Sequence, residues 1–525
     1  MAEELVGHPC KALHCRQQET CKIENGLAKC VPNFNGSCWG WGDPHYHTFD
    51  GMDFDFQGTC SYTIAKYCGS DPTLVPFTIV EKNDNRGNQA VSYVSLANIF
   101  VYGYKISIYK QEVGRIRLND AIFSLPLTLE EGKIRLFQSG PSAVLQTEFG
   151  LQVTYDWKWH LVITLPSSYY NATCGLCGNF NRDPRDDMAL PNGTMVSSVT
   201  SWASSWRVKD RDPFCWDSCQ GNCPTCDESK KELYGSNAHC GIIRNASAGP
   251  FRECHAKVNP DDFFDSCIYD VCLNGGAQGF LCQALEAYAK TCRKAGALIY
   301  DWRTPSGCAL QCPENSHYEF CGNACPASCS DRTAPSTCQE PCVETCQCDE
   351  GYVLSADKCV PTGSCGCTYN GFYYKPGEEF WAGGNCGSRC TCDSSLGIVV
   401  CKPASCQANE QCALVNGVWG CHPVSYATCS ASGDPHYTSF DGRRYDFMGT
   451  CIYQLVGLCS DDPTLKPFTI NVENNNRGNK KVSYTKVVTV EAYNLSIVLS
   501  QEHPRRIQVW KWANLVGALG RPLGS

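Results

Sequence analysis

CWGWGDPHYHTFDG, residues 38–51, returns almost intact as CSASGDPHYTSFDG, residues 429–442. Each copy centres on an Asp-Pro bond, Asp43-Pro44 or Asp434-Pro435, followed by His45 or His436. Each carries a second acid near its end, Asp50 or Asp441. The cysteines around the stretch keep step with it. Cys10, Cys15, Cys21, Cys30, Cys38, Cys60 and Cys68 recur as Cys401, Cys406, Cys412, Cys421, Cys429, Cys451 and Cys459, each 391 positions later. The same offset carries Asn85-Arg86-Gly87 to Asn476-Arg477-Gly478. One offset held across so many cysteines without an insertion marks a repeat, so the sequence reads as one repeat unit and the start of a second.

The chain has 525 residues, a net charge of −9 and 41 cysteines. That cysteine usage points to an oxidising compartment. Zinc is the competing reading, because CxxC pairs occur at Cys174/Cys177 and Cys223/Cys226. Cysteines that run through whole domains, with no His-x3-5-His partner, favour disulfides. Four sequons, at Asn171, Asn192, Asn245 and Asn494, suit a secreted glycoprotein. The dispersed negative charge gives no nucleic-acid footprint. No apolar run reaches the roughly 18 residues of a membrane span. The first residues, MAEELVGHPCK, do not read as a signal peptide. A fragment of a longer secreted chain, or an alternative form of one, is the expectation.

Residues 1–37 hold four cysteines in a segment too small for an uncrosslinked core. Residues 38–210 read as β. Val91 to Tyr109 is rich in β-branched and aromatic residues, and Lys133–Phe137, Gly150–Tyr155 and His160–Leu165 continue at sandwich-like spacing. Residues 211–311 turn helical. Asn259-Pro260-Asp261-Asp262 is a helix start, and Phe280 to Ala295 gives a second helix with Leu281, Leu285, Ala289 and Cys292 on one face. Residues 312–365 and 366–428 are small cysteine-rich pieces stabilised by crosslinks. Residues 429–509 repeat the start of the β module, and 510–525 is an off-pattern tail.

Two stretches could carry chemistry. In CGLCGNFNRDPRDD, residues 174–187, oxygen side chains stand at Asn179, Asn181, Asp183, Asp186 and Asp187. Alternating polar positions on a tight loop can present the oxygens that Ca²⁺ requires. A polar hairpin turn would use the same residues. At Gly42-Asp43-Pro44-His45, the Asp43 carboxyl could attack its own carbonyl, with His45 as proton donor. An exposed turn is the plain alternative. The CGLC pair reads either as a redox motif or as disulfide anchors for the loop. His47, His160 and His239 read as structural, and no Ser-His-Asp or Cys-His nucleophile stands out.

CWGWGDPHYHTFDG together with CGLCGNFNRDPRDD resembles the two ends of a von Willebrand factor type D (VWD) domain, and the following segments resemble its usual companions. The resemblance implies a mainly β, multidomain chain with a small helical domain. Its parts are a partial E-type module (1–37), a β-sandwich-like VWD domain (38–210), an eight-cysteine C8 domain (211–311), a trypsin-inhibitor-like (TIL) domain (312–365), an E-type or VWC-like module (366–428) and a truncated second VWD domain (429–509). It implies a calcium site at Asp50, Asn179, Asn181, Asp186 and Asp187, with a backbone oxygen near Asp183, and no such site in the second copy. It implies disulfides in the first β module through Cys38, Cys60, Cys68, Cys174, Cys177 and Cys215. Autolysis at Asp43-Pro44, and in the second copy at Asp434-Pro435 beside His436, follows from it too. No other catalysis is expected. The implied role is a secreted structural protein of mucus or extracellular matrix. Its partners would be other VWD-containing mucus proteins or mucins, a disulfide-linked second copy, and the Fc part of immunoglobulin G. A cell-adhesion protein is the alternative, and a protease inhibitor a third.

Overall fold

The computed structural model describes residues 9–42, 44–85, 92–210, 212–218, 225–433, 436–462, 465–476, 478 and 481–511. Asp43, Asp434, Pro435 and nearly all of the tail thus lie outside the described residues. The chain divides into two units, residues 1–407 with 412–422 and residues 408–411 with 423–525.

The first unit opens with a hairpin of β1 (Glu19–Glu24) and β2 (Leu27–Pro32), tied by Cys10–Cys21 and Cys15–Cys30. Two eight-stranded antiparallel sheets follow. One contains β3 (Asn35–Trp41), β4 (His45–His47), β5 (Asp53–Asp55), and a later run of β12 (Leu127–Leu129), β13 (Ile134–Ser139), β14 (Ser142–Thr147), β15 (Gln152–Tyr155) and β16 (Leu161–Pro166). The other is built of β6 (Ser61–Tyr67), β7 (Phe77–Asp84), β8 (Tyr93–Val101), β9 (Tyr104–Tyr109), β10 (Arg115–Leu118) and β11 (Ala121–Ser124), with β17 (Thr173–Cys174) and β18 (Arg207–Val208) both paired to β6. Alternating strand residues such as Ile79, Val94, Ile99, Ile106, Leu145, Val153 and Ile163 are fully buried, as period-2 patterning demands. They form one core between the sheets.

β16 pairs with β3 along its whole length, from Leu161–Gly40 to Pro166–Asn35. This pairing brings the end of the module back to its start. Cys38–Cys177, Cys68–Cys174 and Cys60–Cys215 fix the same closure. Cys174 and Cys177 therefore bond to distant cysteines and not to each other, which makes them anchors and not a redox pair. The module also reaches beyond residue 210. The Trp216 carbonyl accepts from the Thr59 N–H at 2.7 Å, and Asp217 from the Tyr62 hydroxyl at 2.6 Å.

After the short helices α1 (Val199–Ser205) and α2 (Glu228–Tyr234), the helical domain packs α3 (Pro260–Leu273) against α4 (Gln278–Lys294). Asn259 caps α3 by accepting the Asp261 N–H, and Pro260 sits where its missing N–H costs nothing. Phe263, Cys267, Leu281, Leu285 and Tyr288 fill the core, and Trp41 of the β module inserts into it. A charged chain then crosses three domains. Lys290 pairs with Glu286 at 2.9 Å and lies 3.7 Å from Asp156; Arg303 contacts Glu286 at 3.6 Å and Glu344 of the next domain more closely. His160, beside this chain, is driven down to about 4 by burial and the Lys290 charge. Residues 312–365 and 366–407 consist of short hairpins held by disulfides such as Cys312–Cys346, Cys329–Cys365 and Cys367–Cys392.

In the second unit, five antiparallel strands run from Ile452–Gly457 to Gln508–Lys511, beside a three-stranded sheet that starts at Ser430–Ser432. They bury little: Tyr437 and Val472 are covered, but Phe440, Ile452 and Ile507 are exposed. Cys429, Cys451 and Cys459 are free thiols.

Candidate functional site

The loop at residues 175–187 is seated by the backbone of β6. A bulge between Thr63 and Ala65 turns the Thr63 and Ile64 carbonyls out of the ladder. They accept the N–H groups of Leu176 and Cys177 at 3.2 and 2.8 Å. A Cβ on Gly175 would stand 2.6 Å from the Ile64 oxygen, and its φ of +117° suits glycine. The Cys177 carbonyl in turn holds the Phe49 N–H at 3.0 Å, which locks the opening stretch onto the loop.

Here Asp50 meets the loop. Its carboxylate accepts the Asn181 N–H at 3.1 Å and the Arg182 N–H at 2.5 Å. Asp186 accepts the side-chain amides of Asn179 and Asn181 at 2.9 and 2.8 Å. Asp187 is 2 % exposed. It accepts the Thr48 hydroxyl at 2.6 Å and the Asn179 N–H at 3.3 Å. Gly178 leaves room for it: a Cβ there would lie 1.9 Å from Asp187 Oδ1. Burial, opposed by the Thr48 hydrogen bond and reinforced by the Asp50 carboxylate, pushes Asp187 up to about 7. Among the described residues no Lys, Arg or His pairs with Asp50, Asp186 or Asp187. The nearby arginines look elsewhere, Arg182 over the Phe34 ring and Arg185 onto Asp183.

Three carboxylates and two amides, one carboxylate buried without a counter-charge, fit a hard divalent cation. The residues singled out in the sequence thus gather in one place, although the Asp183 side chain is engaged elsewhere. Its side chain pairs with Arg185, at 2.7 and 2.6 Å, and caps a short 3-10 turn, while its N–H donates to Asn181 Oδ1 at 2.7 Å. Thr48 was not legible as a site residue, because a lone Thr carries no ligand signature. In the second copy, Asp441 is exposed.

The Gly-Asp-Pro-His stretch lies at the seam with the helical domain. His45 is 3 % exposed. Its Nδ1 meets Asp55 at 2.7 Å, and its Nε2 meets Asp270 of α3 at 2.8 Å. Burial pushes the imidazole toward its neutral form, but the Asp270 and Asp55 charges prevail and hold its pKa well above the usual histidine value. His436 meets Asp446 at 2.7 Å but is exposed. His47 stacks on Trp39 and pairs with Asp53, a structural role. Of the sequons, Asn171, Asn192 and Asn494 are exposed and Asn245 is half-buried.

Comparison with known proteins identifies the domains. The von Willebrand factor type D domain model matches residues 38–194 and 429–511. The C8 domain model matches 239–309, the trypsin inhibitor-like cysteine-rich domain model 312–365, and the TILa domain model 366–422. Human IgGFc-binding protein is 50 % identical over 510 residues, covering 95 % of this chain and 9 % of that protein. Mouse alpha-tectorin is 41 % identical over 464 residues, 88 % of this chain and 21 % of its own length. Human zonadhesin is 36 % identical over 496 residues, 93 % and 17 % respectively. The chain thus spans only about a tenth to a fifth of the length of these relatives.

Proposed function

Because the chain belongs to the family of proteins assembled from von Willebrand factor type D, C8, TIL and TILa domains, we propose that it is a calcium-bound, disulfide-linked structural glycoprotein of mucus or a similar extracellular secretion. Its disulfides belong to an oxidising compartment, and its described helices are too short and polar to cross a membrane. The observation that carries the reading is Asp187, a buried carboxylate facing Asp50 with no basic partner. A calcium ion held by Asp50, Asn179, Asn181, Asp186 and Asp187 would supply the missing positive charge. It would also tie the first strands of the β module to its last loop. Mechanical integrity then rests on the ion and on Cys38–Cys177, which close the same joint.

The Asp43–Pro44 bond is the second element of the proposal. Scission there would leave the pieces joined through Cys38–Cys177, so the module would stay assembled while gaining a new end. The working partners would be VWD-containing mucus proteins, mucins or a second copy linked through a thiol. Immunoglobulin Fc enters through the name of one relative alone. An adhesive role of tectorin or zonadhesin type is the alternative. Melting of the purified chain with calcium and with EDTA tests the central claim: an unchanged transition would refute it. A gel run with and without reductant tests the cleavage.

A further inference from the structure

Asp270 touches the Gly-Asp-Pro-His stretch on two sides. One carboxylate oxygen meets His45 Nε2 at 2.8 Å. The other is placed so that a Cβ on Gly42 would come within 2.5 Å of it, at a φ of +64°. The residue before Asp43 and the one after Pro44 are therefore packed on a single side chain from the neighbouring domain. Asp270 is fully buried, although an aspartate belongs to the surface of a helix. It falls on the stripe of Phe263, Cys267 and Val271 that faces the core. Asp55 has a different character: its side chain is 57 % exposed, at the edge of a groove of about 370 Å³ lined also by Trp41, Asp53, Asp262 and Tyr269. The groups facing the imidazole are thus Asp55 from β5, Asp270 and the Tyr269 ring from α3, and the Trp41 ring from β3.

We infer that Asp270, from the C8 domain, is a positioning residue for scission of the Asp43–Pro44 bond, acting through the His45 imidazolium. This rests on the self-cleavage reading above. In that reaction an Asp43 side-chain oxygen bonds to the Asp43 carbonyl carbon and the C–N bond to Pro44 breaks. The proline nitrogen takes a proton from His45, leaving a five-membered cyclic anhydride and a free secondary amine. Water then opens the anhydride to the two Asp43 carboxyl groups, and the proton released restores the imidazolium. No oxidant or reductant is needed. Asp270 keeps Nε2 anchored and the ring charged, while the solvent-exposed Asp55 releases Nδ1–H, the nitrogen nearer the backbone, for delivery to Pro44. The C8 domain becomes a condition for cleavage of the VWD domain beside it.

The test is the rate of appearance of fragments 1–43 and 44–525 on reducing gels between pH 5 and 8. It uses the whole chain in a D434A background, so that only the first bond can be cut. The unaltered first copy should cleave at a rate that varies little across this range, because its imidazole stays protonated. D270N should fall at least about tenfold at pH 7 and recover as pH is lowered, since above a reduced pKa the imidazolium fraction drops tenfold per pH unit. D55N should shift the same way by less, and it carries the test if D270N is not secreted. Profiles for D270N and D55N that superimpose on that of the parent would overturn the role of Asp270 while leaving self-cleavage intact. A parent chain that stays whole at every pH would overturn both.

Discussion

Asp50, eight residues into the first module's aromatic opening after Gly42, accepts the backbone N–H of Asn181 at 3.1 Å in the loop that closes the module. With Asp187 buried beside it, the joint is one in which like charges meet unless a cation intervenes.

The first prediction concerns that cation. A ligand at about a hundredfold its dissociation constant stabilises by about 2.7 kcal/mol, which for a domain of this size raises the melting temperature by roughly 5–10 °C. Saturating calcium should produce such a shift in the β-module transition, and EDTA should reverse it. Asp187→Ala and Asp50→Ala should abolish it. Asp183→Ala should preserve most of it, because its carboxylate is spent on Arg185. Scanning calorimetry of the four proteins with and without calcium checks this.

A second prediction concerns Glu81, a fully buried acid on β7. Tyr46 donates its hydroxyl to one Glu81 oxygen, and the other finds no partner among the described residues. Burial pushes its carboxyl up to about 8, only partly opposed by Tyr46. The folded value lies above the unfolded one, so the unfolded chain releases the proton first as pH rises. The stability contribution is therefore complete below about pH 4.5 and is lost progressively up to about pH 8. Over that window the loss is on the order of 4 kcal/mol. Glu81→Gln should flatten the fall between pH 5 and pH 8 in urea unfolding and match or exceed the parent at pH 8. Valine at position 472, 391 residues on, shows the same place in the repeat filled without a charge.

These two acids also show what a sequence can and cannot disclose. Asn179, Asn181, Asp186 and Asp187 were legible as candidates because oxygen side chains cluster in a short stretch with turn-forming neighbours, whereas Asp50, 129 positions before Asn179, came only through the resemblance. The helices were legible through capping and spacing: Asn259-Pro260 starts α3, and the α4 stripe falls where its apolar residues recur. Asp270 was not, because its partner His45 lies 225 positions away and pairing is a property of docked domains. A carboxylate on the apolar stripe of α3 was the available signal. Glu81 gives the same signal on a strand, an acid in the inward register of Phe77, Ile79 and Asn83. The extension of the β module to Asp217 was hidden because loop residues held by carbonyls and hydroxyls carry no periodicity.

The third prediction concerns the charged chain between domains. Arg303 is 8 % exposed and is shared by Glu286 and Glu344 while also donating to the Cys308 carbonyl at 3.0 Å. Removing one partner of a buried pair strands the others, at a cost of about 3–5 kcal/mol. Arg303→Met should lower the transition of the C8–TIL part accordingly and speed proteolysis between the two domains. The double change Arg303→Met with Glu344→Gln should recover part of the loss, because it leaves fewer unpaired charges. A recovery of nothing would mean that Arg303 acts through packing on Trp302 alone.

The last prediction separates the two copies of the opening stretch. Asp441 stands at the position of Asp50, one repeat later, but it is exposed. A single carboxylate in water attracts calcium only weakly, since the ion takes six to eight oxygens. Asp441→Ala should therefore leave the stoichiometry of calcium binding at one ion per chain, whereas Asp50→Ala should reduce it to none. Titration calorimetry at pH 7.5 reads both values directly, and a loss of the bound ion on changing Asp441 would place the site in the wrong copy.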